Sequence, residues 1–250
     1  MQVELKTISD PSEYECIIDG VSMLNDTIRK VTLVLPGKIK YEAGQYLEWI
    51  QEDGYKVPYS IATAPILGNT IDMHIREPKD NYKKNMHNKN LIKGNAIRIN
   101  MPKGKCYLNY KENCQSYIFL AEGTGFSQTK AIVEQCLSWK IKKPIRIYWK
   151  VKNERELYLK QLIETWVKDC VNLTYVPIIS AVENKKPKDF VGGDVSKIII
   201  EDYKSLEDIY VVASGSKGFV HENLIDLINF AKLNVENIKS DVFDYVPLPL

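Results

Sequence analysis

Partway along this chain the spacing of its apolar residues changes, and that change limits the fold more than any other feature. Up to about Lys111, short apolar runs are broken by Pro and Gly: QVELKTI, KVTLVLPG, GQYLEWI, VPYSIATAP, NTIDMHI and NAIRINMPKG. In KVTLVL, Val31, Leu33 and Leu35 alternate with Lys30, Thr32 and Val34, the spacing of a strand with one buried face. Repeated short strands with turn residues between them predict an antiparallel sandwich or barrel. After about Gln115 the strand-like YIFLA, IRIYW, LTYVPII and DIYVVA alternate with helical patterns. SQTKAIVEQCLSW places Ala131, Ile132, Cys136 and Leu137 on one helical face. NERELYLKQLIETWVKDC does the same with Leu159, Leu162, Ile163, Trp166, Val167 and Cys170, and ENLIDLINFAK continues the alternation. Strands alternating with helices imply a parallel sheet covered on its faces, because parallel neighbours need crossover connections. The expected architecture is β followed by α/β: a β domain over 1–112, then an α/β domain over 113–250.

The chain has 250 residues, enough for one large or two modest domains that bury a core. Its 34 Lys and Arg nearly balance 32 Asp and Glu, which gives no reason to expect a nucleic-acid binder. Apolar runs are strand-sized, short of the ~18 residues that span a bilayer, and MQVELKTISD has no secretory-signal pattern. A cytoplasmic protein without a membrane partner is expected. Five scattered cysteines without a C-x-x-C pair read as reduced, mostly buried thiols, and exclude iron–sulfur or zinc-ribbon spacing. His74, His87 and His221 make no ligand set, so no metal is expected.

Two local signals carry chemistry. Gly123-Thr124-Gly125 stands directly after a buried strand and before a helix, where backbone N–H groups and the helix dipole favour a diphosphate. A plain tight turn would use the same residues, but this is the first strand-to-helix turn of the α/β domain, at the carboxyl edge where such sheets bind ligands. Val57-Pro58-Tyr59-Ser60-Ile61-Ala62 ends a strand with a flat ring beside a hydroxyl, a pair suited to a planar heterocycle and equally to a structural strand start.

In order along the chain, AGQYL, PYSIAT, MHI, PKGKCYL, GTGFS, IYW with LY, DIYVVASG and DVFDYV resemble the ferredoxin-NADP reductase superfamily, above all the bacterial NAD(P)H:flavin oxidoreductases. The resemblance covers nearly the whole chain. It implies an antiparallel, six-stranded-type flavin-binding β-barrel followed by a Rossmann-like parallel α/β nicotinamide domain, with flavin (FAD or FMN, or a loosely held flavin substrate) at their junction. By that likeness Tyr59 stacks on the flavin and Ser60 orients its N5, the two catalytic assignments. Pro58, Ile61 and Ala62 supply backbone contacts, and His74, Ile75 and Arg76 lie on the next flavin-side strand. Gly123, Thr124, Gly125, Phe126 and Ser127 match the turn that holds NADPH or NADH, and Ser214 and Gly215 border the nicotinamide. Lys150, Lys152 and Arg155 follow the second α/β strand, where the family places groups near the adenosine ribose. Cations there would favour a 2′-phosphate.

Hydride transfer from nicotinamide C4 to flavin N5 asks mainly that two rings be stacked about 3–3.5 Å apart, and needs no nucleophile or paired carboxylates. Val57 stands where the family has Arg for the flavin phosphate, which favours a flavin used as substrate, and Arg76 is the candidate replacement cation. Glu122 stands where relatives carry Gly. The leading expectation is an NAD(P)H-dependent flavin reductase. Its rivals are a reductase component passing electrons to a protein acceptor, such as an oxygenase or metalloprotein, and a non-catalytic flavin- or nucleotide-binding regulatory module. The basic stretch from Lys79 to Asn95 reads as a solvated segment or a patch that steers an acidic partner.

Overall fold

The computed structural model describes residues 12–66, 68–78, 91–108, 114–180 and 190–249. Strands β1 (Glu13–Asn25), β2 (Ile28–Val34), β3 (Tyr46–Ile50), β4 (Lys56–Ser60), β5 (Thr70–Arg76) and β6 (Ala96–Lys103) form one antiparallel sheet in the order β4-β3-β6-β1-β2-β5. Its two edges meet. The Ala62 N–H donates to the Asp72 carbonyl at 2.8 Å, and the Asp72 N–H donates to Thr63 Oγ1 at 2.9 Å. These two bonds tie the sheet's edges together just past the end of β4, as in a partly open barrel. Val31, Leu33, Leu47, Trp49, Ile71, Met73 and Ile75 fill the interior, so the alternation in KVTLVL is realised as one buried face.

The longest strand, β1, is absent from the runs that the sequence makes prominent. Only Cys16 and Ile18 within it are fully buried, and its register shifts between Ile18 and Gly20, so its apolar alternation is diluted. QVELKTI and most of the basic stretch lie outside the described residues, as does the division between 112 and 113.

The second sheet comprises β7 (Ser116–Glu122), β8 (Ile145–Val151), β9 (Leu173–Ile179), β10 (Val191–Gly192), β11 (Ile209–Ser214) and β12 (Ile238–Lys239). All its pairings are parallel, in the order β10-β9-β8-β7-β11-β12. Helices α1 (Phe126–Ser138) and α2 (Lys160–Asp169) cover one face, where Tyr117, Phe119 and Ala121 of β7 pack with Ile132, Ile163 and Trp166. Helices α3 (Val195–Asp202) and α4 (Lys217–Ala231) cover the other, against Ile118 and Leu120. Burial on both faces explains why SYIFLA reads as an unbroken apolar run. The chain leaves β7 toward β8 on one side, while β11 pairs on the other, so a crevice opens at the carboxyl ends of β7 and β11.

Helix α2 is shorter than its sequence pattern. Glu154–Glu156 form a 3₁₀ turn, Leu157 (φ −79°, ψ 59°) leaves the helical region, and Val167 is 37% exposed while Ile163 and Trp166 are buried. Helix α3, only eight residues long, is not among the predicted helices. Among the described residues no helix is long and apolar enough to cross a membrane. All five cysteines are free thiols, four of them buried.

The barrel docks on α1. Gln128 is fully buried. Its Nε2 donates to the Gly44 carbonyl at 2.6 Å, and its Oε1 accepts the Ser214 hydroxyl. Lys130 donates to the Ala62 carbonyl at 2.8 Å and pairs with Glu134 at 2.7 Å, and the Glu134 carboxylate accepts the Ala64 N–H. Ala43, Ala64, Cys106 and Leu108 from the barrel side join the α1 cluster, so the apolar core runs through the junction. Replacing Gln128 with Leu strands two buried polar groups, and urea unfolding should show a loss of about 3 kcal/mol.

Candidate functional site

Two turns form the crevice floor. Beyond β7, Gly123–Gly125 make a 3₁₀ turn that runs directly into α1, and no side chain caps the amino end of either. Uncapped amides at such an end are free to bind an anion. Beyond β11 comes Gly215. A Cβ on Gly125 would lie 2.4 Å from the Ser214 carbonyl oxygen, and one on Gly215 would lie 2.8 Å from Glu122 Cβ. Only glycine lets the two turns pack backbone against backbone. Gly123, Thr124, Gly125 and Gly215 are partly exposed there.

The neighbouring positions support the turns from behind. Phe126 is fully buried and stacks on Trp149, centroids 4.0 Å apart. Trp149 Nε1 donates to the Gly123 carbonyl at 2.9 Å, and the buried Ser127 hydroxyl donates to the Thr124 carbonyl at 2.7 Å. Ser214 is 1% exposed with its hydroxyl committed to Gln128. Packing turns the side chains of Phe126, Ser127 and Ser214 inward. Glu122, a potential repulsive charge, points at the start of α4, where its Oε2 accepts the Ser216 N–H at 3.1 Å and the Ser216 hydroxyl at 2.5 Å. Lys152 is exposed beyond the end of β8.

Period-2 geometry sorts the barrel residues. On β5, Ile71, Met73 and Ile75 point into the barrel, so the Ile75 side chain, 3% exposed, is withdrawn from the junction. Asp72, His74 and Arg76 take the other face. His74 is 5% exposed and edge-on to Tyr158, with Nδ1 3.2 Å from the Tyr158 hydroxyl. Burial above all, with Lys130 and Lys30 adding repulsion, lowers its pKa to about 3. Arg76 reaches across the junction. Its Nη2 lies 3.4 Å from Glu156 Oε2 and 3.3 Å from where a Cβ on Gly123 would sit.

On β4, Val57 pairs with Trp49 and Tyr59 with Leu47, both core residues of β3. That register puts the half-buried Val57 side chain on the same sheet face as Trp49. Lys56, on the opposite face, is engaged with Glu13 at 3.2 Å. The Tyr59 ring leans on the barrel core 6.3 Å from Trp49, and burial raises its hydroxyl to about 12. The Tyr59 side chain nonetheless stays partly exposed. The exposed ring is Tyr245, 57% accessible and 6.0 Å from Tyr46. Tyr46 is the ladder partner of Ser60, which is partly exposed beside exposed Pro58. Gly104 lies under the Tyr46 ring and beside Asp244, so β3, β4, the 104 turn and the C-terminal segment converge on Ser60. Ile61 and Ala62 have no exposed surface, and their N–H groups already donate to the Gln45 and Asp72 carbonyls, which removes both as amide donors to a ligand.

The accessible donor set is thus a hydroxyl (Ser60), an exposed aromatic ring (Tyr245), a guanidinium (Arg76) and the uncapped amides of a glycine turn. That chemistry fits planar heterocycles carrying phosphates. Sequence alone did not single out Gln128 or the seating of Glu122 on Ser216. AGQYL and the LY pair did flag Tyr46 and Tyr158 as landmarks.

A sequence model of the oxidoreductase NAD-binding domain matches residues 119–223. A probable flavin reductase from Photobacterium leiognathi is 27% identical over 238 residues, covering 93% of this chain and 99% of that protein. A CDP-6-deoxy-L-threo-D-glycero-4-hexulose-3-dehydrase reductase from Yersinia pestis is 30% identical over 220 residues, 86% of this chain, and the chain spans only 64% of that relative's length. A ferredoxin NADP+ reductase from Neisseria gonorrhoeae, crystallised with FAD and NADP, shares the fold with a TM-score of 0.78 at 15% identity, covering 92% of this chain and 98% of that one.

The buried His74 makes the junction acid-sensitive. A depressed folded-state pKa contributes stability above the unfolded value, near 6.5, that is lost as pH falls toward about 3. Between pH 7 and pH 5 this amounts to about 2 kcal/mol. Asp241, whose carboxyl burial raises to about 6, acts in the opposite sense, so the two are separated by mutation. His74→Gln should unfold less acid-sensitively than the wild type when melting temperatures are compared at pH 7 and pH 5.

Proposed function

We propose that this chain is an NAD(P)H-dependent flavin reductase of the ferredoxin-NADP reductase superfamily. The observation that carries the reading is the meeting of two glycine turns, Gly123–Gly125 and Gly215, at the switch point of a parallel sheet, with Arg76 of the barrel reaching to the first of them. The near full-length similarity to a probable flavin reductase supports the same activity. In this reading residues 1–112 bind the flavin and 113–250 the nicotinamide nucleotide.

Bound flavin supplies a ring that accepts a hydride at N5. The chain itself binds and orients. Ser60, at the end of β4, offers its hydroxyl in the ring plane, with Tyr59 behind it in the barrel wall keeping the strand end in register. Tyr245 offers an exposed aromatic face. The amides of Gly123, Thr124 and Gly125 hold the dinucleotide diphosphate, and Arg76 leaves Glu156 to meet a flavin phosphate. Valine at 57 offers no phosphate-binding fork, which favours a flavin that enters and leaves as a substrate. A second reading, a reductase that passes electrons to a protein acceptor, is favoured by the similarity to the longer Yersinia pestis reductase.

Steady-state oxidation of NADH and NADPH, measured with and without riboflavin, FMN and FAD, tests the proposal. Turnover that depends on added flavin supports it. Protein that stays yellow through gel filtration, and turns over only with a protein acceptor, supports the second reading. Ser60→Ala should lower kcat about tenfold or more with little change in the nicotinamide KM. Arg76→Ala should raise the KM for FMN about tenfold and leave that for riboflavin, which has no phosphate, nearly unchanged.

A further inference from the structure

A cleft of about 510 Å³ lies at the carboxyl edge of the parallel sheet, on the side of α3 and α4. Glu122, Lys150, Asp194, Ser216 and Glu222 are among its charged and polar lining, and Phe219 also lines it. All six fall within residues 119–223, the stretch that matches the NAD-binding domain. Glu122 ends β7, Lys150 lies at the end of its neighbour β8, and Ser216 follows β11, so the cleft straddles three adjacent strand ends. Its volume is in the range that takes a small ligand or part of a larger one.

Charge decides which dinucleotide half it accepts. Three carboxylates face one ammonium, and that ammonium sits 5.9 Å from the Phe219 ring centroid. Lys152 and Arg155, the other cations beyond β8, do not line the cleft. The amino end of α4, which could otherwise attract a phosphate, is already satisfied from inside by Glu122 Oε2 through the Ser216 amide and hydroxyl. A ribose diol can donate both hydroxyls to carboxylates at this edge. A 2′-phosphate brings about two further negative charges against them. In α/β dinucleotide folds an acidic side chain near the ribose accompanies NAD, and an arginine accompanies NADP.

We infer that the hydride donor is NADH and that Glu122 and Glu222 exclude NADPH by repelling its 2′-phosphate. The inference rests on the reading of Gly123–Gly125 as the nicotinamide nucleotide turn, and it reverses the preference suggested by the cations after β8. The test compares kcat/KM for NADH and NADPH with riboflavin as acceptor at low salt, alongside calorimetric binding of ADP-ribose and 2′-phospho-ADP-ribose. The wild type should favour NADH at least about tenfold, and Glu122→Gln and Glu222→Gln should each shrink that ratio about fivefold. Glutamine at 122 still accepts from Ser216, so the shift reports charge rather than a lost hydrogen bond. Added salt should narrow the wild-type preference.

Comparable turnover of both nucleotides, or a preference for NADPH, overturns the inference and leaves the flavin-reductase reading intact. Absence of oxidation of either nucleotide, whatever the two ADP-ribose affinities, overturns NADH as the donor and the flavin-reductase reading together. Failure of both ligands to bind overturns both.

Discussion

Gln128 is the interaction on which the junction depends. It sits on a helix of one lobe with no surface in water, yet both ends of its amide are engaged: one by the carbonyl of Gly44 in the barrel, the other by Ser214 at the end of β11. A buried amide with these partners fixes three segments relative to one another, because any relative slide leaves polar groups unpaired in an apolar surround. The glycine turns meet, and Arg76 reaches Gly123, because that frame holds.

Around the frame, side chains divide between support and access. Phe126, Trp149, Tyr158 and His74 form a packed aromatic group behind the first glycine turn, through ring contacts of 4.0 to 5.4 Å along the chain Phe126–Trp149–Tyr158–His74. These residues shape the crevice without facing it. What remains accessible is mostly backbone, together with Ser60, Arg76 and Tyr245. Such an arrangement suits a reaction in which the protein orients two ring systems rather than moving protons. The same economy governs the carboxyl edge, where Glu122 takes up the positive end of α4 and leaves a negative wall.

Much of the architecture was legible in the residues. KVTLVL gave its buried face, SYIFLA its double-sided burial, and the glycines at 123 and 125 their place between strand and helix. The parts that were not legible have specific causes. β1 is half exposed along its length and shifts register between Ile18 and Gly20, so its period is weak, while α3 has only eight residues, too few for a period to stand out. In the site, residue types were recognised more readily than their directions. Tyr59, Ile75, Phe126, Ser127 and Ser214 each turn the side chain toward protein.

Sequence by itself determined the two-part plan, the barrel followed by the parallel sheet, because hydrophobic period and turn chemistry are local properties that each segment carries alone. Only the tertiary structure decided which side chains enter the crevice, because that depends on strand register and on partners distant in the chain: Leu47 sets the face of Tyr59, Gln128 claims Ser214, and Ser216 draws Glu122 away from the glycine turn. One residue of register reverses a strand's faces, and a buried polar group turns toward whichever partner the fold brings within reach.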